Sequence, residues 1–511
     1  MNCSEWIEKH ADFQPDRIAL RFFRDSVSED AWNYAFLGNR ISSWARGLKH
    51  QLGVRRGDRV AFLGTNHPEM LALMFACARL GAILVPLNWR LAPPELAYIA
   101  RNAGLHALVA ETDFIRNAGA IRNAIPNCHM VALEFLEEKW IPHEELLKAE
   151  GADDSNPNVE MDTPLLIVYT SGTTGEPKGA VLTQEALFWN ALNSIHLHEM
   201  TSSDRILSVL PFFHVGPLNI QTTPALYAGA EVVLSPRFDP GLTLKLIATV
   251  HPELLLMVPV TMQALLRHPE WEDTDLSSLR MVVTGSSVIP IDLIEGFHRR
   301  GVPVGQVYGS TETCPIATVL RREDAIRKTG STGKPALHCD VKLVDESGAI
   351  VKVGKSGELW VHGPNVMLEY WGNPEATAEA FTEGWYRSGD MGFRDEEGFI
   401  TIHDRKKDII ISGGENVYPA EVEAILREQE AVADTAVVAG KDEKWGEVPV
   451  AFIELKPGMV LEEEQARELY RNRIASYKHP KAIIFLENLP RNSMGKVLKY
   501  ELREKARDLP P

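Results

Sequence analysis

Apolar residues recur at helical spacing over residues 41–52 and again over 69–80. Each stretch is followed by a short apolar run of strand length, Arg59-Val60-Ala61-Phe62-Leu63 and Ala82-Ile83-Leu84-Val85-Pro86-Leu87. Strand, helix and strand at this spacing predict parallel pairing through right-handed crossovers. The alternation returns at 107–110, 130–133, 165–168, 205–210, 231–234 and 281–284, so a large multi-layer α/β region with mostly parallel sheets is expected to about residue 400. Beyond it, strands at 409–411, 436–438, 450–455 and 483–485 alternate with a helix opened by Pro419 over 419–426 and a second over 462–474. This predicts a small α+β domain of roughly a hundred residues. The boundaries are set at 1–403, a charged connector at 404–408, and 409–511.

Composition narrows the class. The chain has 511 residues, 45% of them hydrophobic, enough for two or more globular cores. A net charge of -17 argues against general affinity for nucleic acid or anionic membranes, while leaving room for a local basic groove. Five cysteines, Cys3, Cys77, Cys128, Cys314 and Cys339, are odd in number and lack CxxC spacing, which predicts neither a disulfide framework nor a zinc site and fits a reducing cytoplasm. The N-terminus is polar and acidic, unlike a secretory signal. The most apolar span, 70–87, is interrupted by Arg79 and Gly81, so no membrane span is expected. Self-association as a homodimer stays open.

The densest chemistry lies after the apolar run at 165–168, in Tyr169-Thr170-Ser171-Gly172-Thr173-Thr174-Gly175-Glu176-Pro177-Lys178-Gly179. Glycines let backbone N–H groups turn inward, hydroxyls add short donors and Lys178 adds a mobile cation, which together suit phosphate. The stretch is not a Walker A loop, because Lys178 stands between Pro177 and Gly179 rather than before Ser or Thr. Later stretches offer complementary groups. Tyr308-Gly309-Ser310-Thr311-Glu312-Thr313 supplies an aromatic face, hydroxyls and a carboxylate suited to magnesium. Tyr386-Arg387-Ser388-Gly389-Asp390 places a carboxylate after a glycine, and Asp404-Arg405-Lys406-Lys407-Asp408 is a run of five charges that reads by itself as a solvated turn. Gly413 and Gly414 form a tight pair, and Pro490-Arg491-Asn492-Ser493-Met494-Gly495-Lys496 carries a lysine on a glycine-containing loop.

Taken in order, these stretches resemble the core motifs of the adenylate-forming superfamily, in particular its acyl-CoA and aryl-CoA ligases, across nearly the whole chain. The resemblance implies an AMP-forming acid–thiol ligase using ATP, Mg2+ and coenzyme A. It assigns Thr170, Ser171, Gly172, Thr173, Thr174, Gly175 and Lys178 to the nucleotide phosphates, Tyr308, Gly309 and Thr311 to the adenylate, and Asp390 and Arg405 to the ribose. Glu312 with Thr170 would hold the metal, Lys496 would meet the reacting carboxylate, and Lys407 would be the hinge on which the small domain moves, bringing Gly413 and Gly414 to the thiol channel. Arg90, Trp445, Tyr477, His479 and Lys481 are implied contacts for coenzyme A. His214, Val215, Gly216, Leu218 and Asn219 match the segment lining the acyl pocket, to which Gly285 and Cys314 are added, with His214 as its gate. No Lys or Arg occurs in 212–230 or 305–319, so an apolar monocarboxylate is expected, a medium or long fatty acid or an aromatic acid. Transfer to a carrier protein or luciferase-like oxygenation of the acyl-AMP are the alternatives. A P-loop ATPase or kinase is disfavoured by the missing Gly-Lys-Ser/Thr.

Overall fold

The largest sheet of the protein runs, from edge to edge, Lys334–Pro335, Thr318–Leu320, Val304–Tyr308, Met281–Thr284, Leu254–Met257, Arg205–Ser208, Glu231–Leu234, Ile18–Phe23 and Glu29–Asn33. Its six inner strands pair in parallel, and antiparallel strands close both edges. A second sheet runs Glu369–Tyr370, Lys178–Thr183, Pro164–Thr170, Ile83–Pro86, Arg59–Leu63, Leu105–Glu111, His129–Leu133 and Ile141–Pro142, its first two pairings antiparallel and the rest parallel. This computed structural model describes all residues except 1, 26–28, 152, 171–176, 286–288, 406–407, 413–414, 443–444, 472, 475, 493–494 and 508–511, and leaves out the side chains at 404, 405, 411, 415, 416 and 477. Contacts divide the chain into two compact units, 1–341 with 360–387, and 342–359 with 388–511. No described helix is long and apolar enough to cross a membrane.

Both sheets belong to the larger unit, and its most buried element is the helix Pro68–Leu80, every residue of which is buried. A helix apolar all round is one packed on all sides. Its two charges are therefore paired. Glu69 accepts from Trp44 Nε1 (2.6 Å) and Arg40 Nε (2.6 Å), and Arg79 reaches Ser42 Oγ (2.7 Å), Asp154 Oδ2 (2.6 Å) and Glu8. Gly81 ends the helix in the left-handed region at φ 72°, and the strand Ile83–Pro86 starts at once. The helix expected over 41–52 begins earlier, at Tyr34, because the Asn33 side chain caps it by accepting from Phe36 N. It widens over Gly47–Gln51, where a Cβ on Gly47 would stand 2.5 Å from Leu146 O.

In the smaller unit, Glu415–Val417, Ile410–Ser412, Gly446–Leu455 and Val432–Asp442 form an antiparallel sheet, and Ala482–Leu486 adds a parallel strand. Side chains alternate across it. Val437, Ala451 and Ile453 pack with Val422 and Leu426 of the helix Pro419–Arg427, while Ala436, Val438, Val450 and Phe452 pack with Leu502 and Ala506 of the helix Lys499–Arg507. The helix expected over 462–474 is only Glu463–Glu468. The chain turns there so that buried Tyr470 can donate to Val422 O (3.2 Å), and Arg467 ties the turn to Pro480 O (3.0 Å). The charged run does not begin as a turn either: Asp404 and Arg405 continue the strand Ile400–Arg405.

The ion pair at Glu69 is the test of this packing. Glu69→Ala strips a buried carboxylate from Arg40 and Trp44 and is expected to lower unfolding free energy by about 3–5 kcal/mol, measured as a fall in the urea midpoint at constant slope.

Candidate active site

Two of the stretches singled out from the sequence, 169–179 and 308–313, follow the carboxyl ends of strands paired in parallel, where open α/β sheets hold their ligands. Thr170 ends one strand and Lys178 begins the next, and the two are opposite partners in an antiparallel pair. The segment 171–176 therefore joins two strands rather than a strand and a helix, which separates it from a P-loop in topology as well as sequence. Ser171, Gly172, Thr173, Thr174 and Gly175 lie outside the described residues. Gly179 packs so closely on Ile167 that a Cβ would stand 2.6 Å from its methyl group.

Tyr308 ends the strand Val304–Tyr308, and Gly309 follows where a Cβ would lie 1.6 Å from Pro315 O. Only glycine fits. The turn Thr311–Thr313 is held by Ser310 N donating to Thr313 Oγ1 (2.9 Å), and it buries the Glu312 side chain. Tyr370 Oη donates to Glu312 Oε1 (2.7 Å), while Lys178 Nζ lies 5.4 Å over the Tyr370 ring. Tyr370 thus connects the lysine of the phosphate-type hairpin to the buried carboxylate. Sequence reasoning missed it. Its signal was an aromatic pair, Tyr370-Trp371, just ahead of the helix cap Asn373 and Pro374. Burial pushes the neighbouring Tyr386 phenol up, and the charge of Glu312 adds to the shift.

The described residues contain no cluster of three metal-ligating side chains. A buried carboxylate braced at one oxygen by Tyr370 nonetheless suits magnesium, which keeps waters and ligand phosphates and takes few protein oxygens.

His214 caps a short helical turn, Val215–Pro217, that passes into Leu218–Thr222. Its imidazole is pushed down from 6.5 to about 3, first by burial and then by the positive charge of Arg90. It is neutral at pH 7, and its Nε2 has no hydrogen-bond partner among the described residues. Val215, Leu218 and Asn219 are buried beside it, and Gly216 is half-buried. Asn219 Nδ2 donates to Cys314 Sγ (3.5 Å), so the added Cys314 does join this segment. Gly285 approaches Val307 O so closely that a Cβ would stand 2.6 Å away. Arg90 lies over Trp89 (4.7 Å), whose ring Arg237 also covers (4.7 Å), and burial and Arg237 together lower the Arg90 pKa. Two guanidinium groups crowded on one indole favour an anion between or beside them, and Arg237 is a second basic residue that the sequence did not single out for this role.

In the smaller unit, Asp390 is buried and its N–H donates to Ser388 Oγ (3.1 Å). Asp390 and Arg405 are direct register partners, so the two residues assigned to the ribose stand opposite one another. Lys496 is exposed on a loop closed by Asn492 N donating to Lys496 O (2.8 Å) and Lys496 N donating to Asn492 Oδ1 (2.9 Å). Trp445 is exposed, its N–H bound to Asp442 Oδ1 (2.9 Å). His479 turns its Nε2 to Ile474 O (3.1 Å), and Lys481 N donates to Pro449 O (2.7 Å). Lys407, Gly413, Gly414 and the side chains of Arg405 and Tyr477 lie outside the described residues.

The chain is 48% identical over 505 residues to the indoleacetate–CoA ligase of Aromatoleum aromaticum, covering 99% of this chain and 98% of that one. It is 39% identical to the feruloyl-CoA synthase of an Amycolatopsis species, covering 98% of each. The o-succinylbenzoate CoA synthetase of Bacillus subtilis, solved in complex with its acyl-adenylate intermediate, superposes with a TM-score of 0.86 at 33% identity, covering 98% of this chain and 97% of that one. Residues 7–371 match the family model described as AMP-binding enzyme and residues 421–496 match its C-terminal domain. With two strand-end sites built on this scaffold and matches along its whole length, the chain belongs to the AMP-binding enzyme family.

Proposed function

We propose that this protein is an ATP-dependent aryl acid–coenzyme A ligase, forming aryl-AMP and pyrophosphate and then aryl-CoA and AMP. The observation that carries this reading is the line Lys178, Tyr370, Glu312 at the strand ends, a cation and a braced buried carboxylate on either side of one phenol. Attack of a carboxylate on the α-phosphate brings two anions together, and the barrier falls where fixed positive charge and donors are aimed at the developing charge. Magnesium, when bound with the nucleotide at Glu312 and Thr170, neutralises phosphate oxygens. Lys178 adds charge on the same phosphates, Tyr308 offers its ring to the adenine, and Asp390 and Arg405 hold the ribose. Lys496 meets the carboxylate in the first step. The segment 404–408, with Lys407 as its pivot, then lets the small domain (409–511) turn so that Gly413 and Gly414 border the thiol channel, while Arg90 and Arg237 hold a phosphate of coenzyme A.

The substrate reading is supported by the two relatives, named for aryl acids, and by the apolar walls Phe213, Val215 and Leu218 around a neutral His214. The protein works in a reducing cytoplasm, in keeping with five buried thiols. Pyrophosphate release is to be measured over arylacetic, cinnamic and fatty acids, with and without coenzyme A. Aryl acids are expected to lead, with acyl-CoA formed only when the thiol is present. Release of phosphate instead, or octanoate ahead of every aryl acid, would overturn the reading.

Lys496→Ala should slow acyl-AMP formation by about a hundredfold or more and leave thioester formation from supplied acyl-AMP within a few-fold, checked by separate half-reaction assays. Tyr370→Phe frees Glu312 from the phenol that braces it and should cut adenylation by about ten- to a hundredfold, with a raised magnesium requirement seen in a metal titration. His214, held near 3, and His198, held near 4 by burial, stay neutral in the folded chain, whereas the unfolded chain takes up protons below about pH 6.5. Stability should therefore decline as pH falls from 6.5 toward 4, by up to about 1.4 kcal/mol per pH unit for each histidine. Thermal melts at pH 7.5 and 5.0 would read the decline, and His214→Leu should flatten it.

A further inference from the structure

A cavity of about 10 Å³ lies between the sheet and the helical segment that begins at His214, walled by Ser208, Val209, Leu210, Pro217, Gln221 and Leu256. That is room for one water-sized group and not for an alkyl tail or a ring. Its two polar walls are fixed by hydrogen bonds behind them. His198 Nδ1 lies 2.8 Å from Ser194 O, a carbonyl that only accepts, so Nδ1 carries the ring proton. His198 Nε2 is then a lone pair, and Gln221 Nε2 at 3.1 Å donates to it. Gln221 is thus held with its amide nitrogen toward His198. Its Oε1, fully buried, has no partner among the described residues and is the end of the amide left for the cavity. The second polar wall follows the same logic. Thr222 Oγ1 donates to Pro217 O (2.9 Å), so the 2.9 Å contact between Ser208 Oγ and Thr222 Oγ1 uses the hydrogen of Ser208. Ser208 therefore also has only lone pairs to offer.

Two acceptors facing one water-sized space call for a donor. Gln221 stands seven residues along the helical segment from His214, roughly 10 Å at 1.5 Å per residue, a separation that a ring with a short linker spans. We propose that Gln221, with Ser208, is the specificity-determining pair of the acid pocket, and that it reads a hydroxyl or N–H donor on the far edge of the substrate's aromatic ring. The inference rests on the aryl acid reading above and narrows it: the preferred acids are hydroxyaryl or N–H heteroaryl acids. A buried acceptor left unmatched costs more than an apolar wall, so acids lacking the donor are selected against. His198 is the positioning residue, since it fixes the amide without touching the substrate.

The test compares kcat/KM for pyrophosphate release from 4-hydroxy and 4-methyl acids, an isosteric pair, in the phenylacetate and cinnamate frames, using wild type, Gln221→Leu and Ser208→Ala. Wild type should favour the hydroxyl acid by about tenfold or more in at least one frame. Gln221→Leu should bring that ratio to about one or below by raising the methyl acid relative to the hydroxyl acid, and Ser208→Ala should lower it in the same direction. A wild-type ratio under about twofold in both frames overturns the proposal, as does an unchanged ratio in Gln221→Leu or an equal loss on all acids, which would mark a structural water. If Gln221→Leu does not fold, judged by its thermal melt, Ser208→Ala and the wild-type ratio decide. Failure of the underlying reading looks different: no aryl acid of either frame releases pyrophosphate while octanoate does.

Discussion

The hydrogen bond from Tyr370 to Glu312 joins the two large sheets at their functional edge. Tyr370 belongs to a two-residue strand that pairs with Ala180, directly beyond the hairpin at Thr170 and Lys178, whereas Glu312 follows the last parallel strand of the other sheet. A buried carboxylate needs hydrogen bonds or a counter-charge, and this one is met by a phenol carried on the opposite sheet. The backbone strengthens the link, because Met367 N donates to Glu312 O (2.7 Å) and Leu368 N to Val181 O (2.9 Å). One short segment, 367–371, therefore sets the position of Glu312 relative to Lys178. The spacing of cation and carboxylate follows from strand pairing rather than from the rotamer of a single side chain.

Glycine acts here as a packing constraint more than as a source of flexibility. Gly309 and Gly285 have backbone atoms of neighbouring segments where a Cβ would stand, and both lie just past the ends of parallel strands. The chain passes closely there, which brings the strand ends of the sheet together, and the segment 214–222 is tied to Cys314 just beyond them. Within that segment Asn219 is held from three sides. It donates to Cys314, its carbonyl accepts from Asn190 (2.7 Å), and its side-chain oxygen accepts from Thr223 (3.2 Å). Such a network holds the segment in one arrangement.

Elements with strong periodicity are legible in the sequence itself. The strands Arg59–Leu63, His129–Leu133, Glu231–Leu234 and Met281–Thr284 fall where apolar runs predict them, because parallel strands buried on both faces are written as continuous apolar residues. Legibility ends where tertiary contacts decide. Gly47 widens a helix because Leu146 lies against it, Tyr470 ends another by turning inward, and Arg405 extends a strand although it sits in a run of five charges. The candidate site shows the same division. Motif residues such as Glu312 and Asp390 announce themselves by type and spacing. Arg237 and Gln221 stand where the fold brings partners beside them and no local pattern marks them, while Tyr370 carries only the faint signal of an aromatic pair ahead of a helix cap.

Net charge and local charge also part company in this protein. At -17 the chain as a whole repels polyanions, yet Arg90 and Arg237 both lie over the ring of Trp89, and burial together with Arg237 lowers the Arg90 pKa. Asp113, 3.8 Å from Arg237, offsets only part of this, and it is an exposed partner screened by solvent. An anion placed beside both guanidinium groups would relieve that repulsion and be attracted by each. The neighbouring histidine obeys the same field in reverse. His214 is kept neutral by burial and by Arg90 together, so the positive charge near it resides on the arginine. The small cavity farther along the same segment is walled mainly by Val209, Leu210, Pro217 and Leu256, with Gln221 and Ser208 as its polar walls.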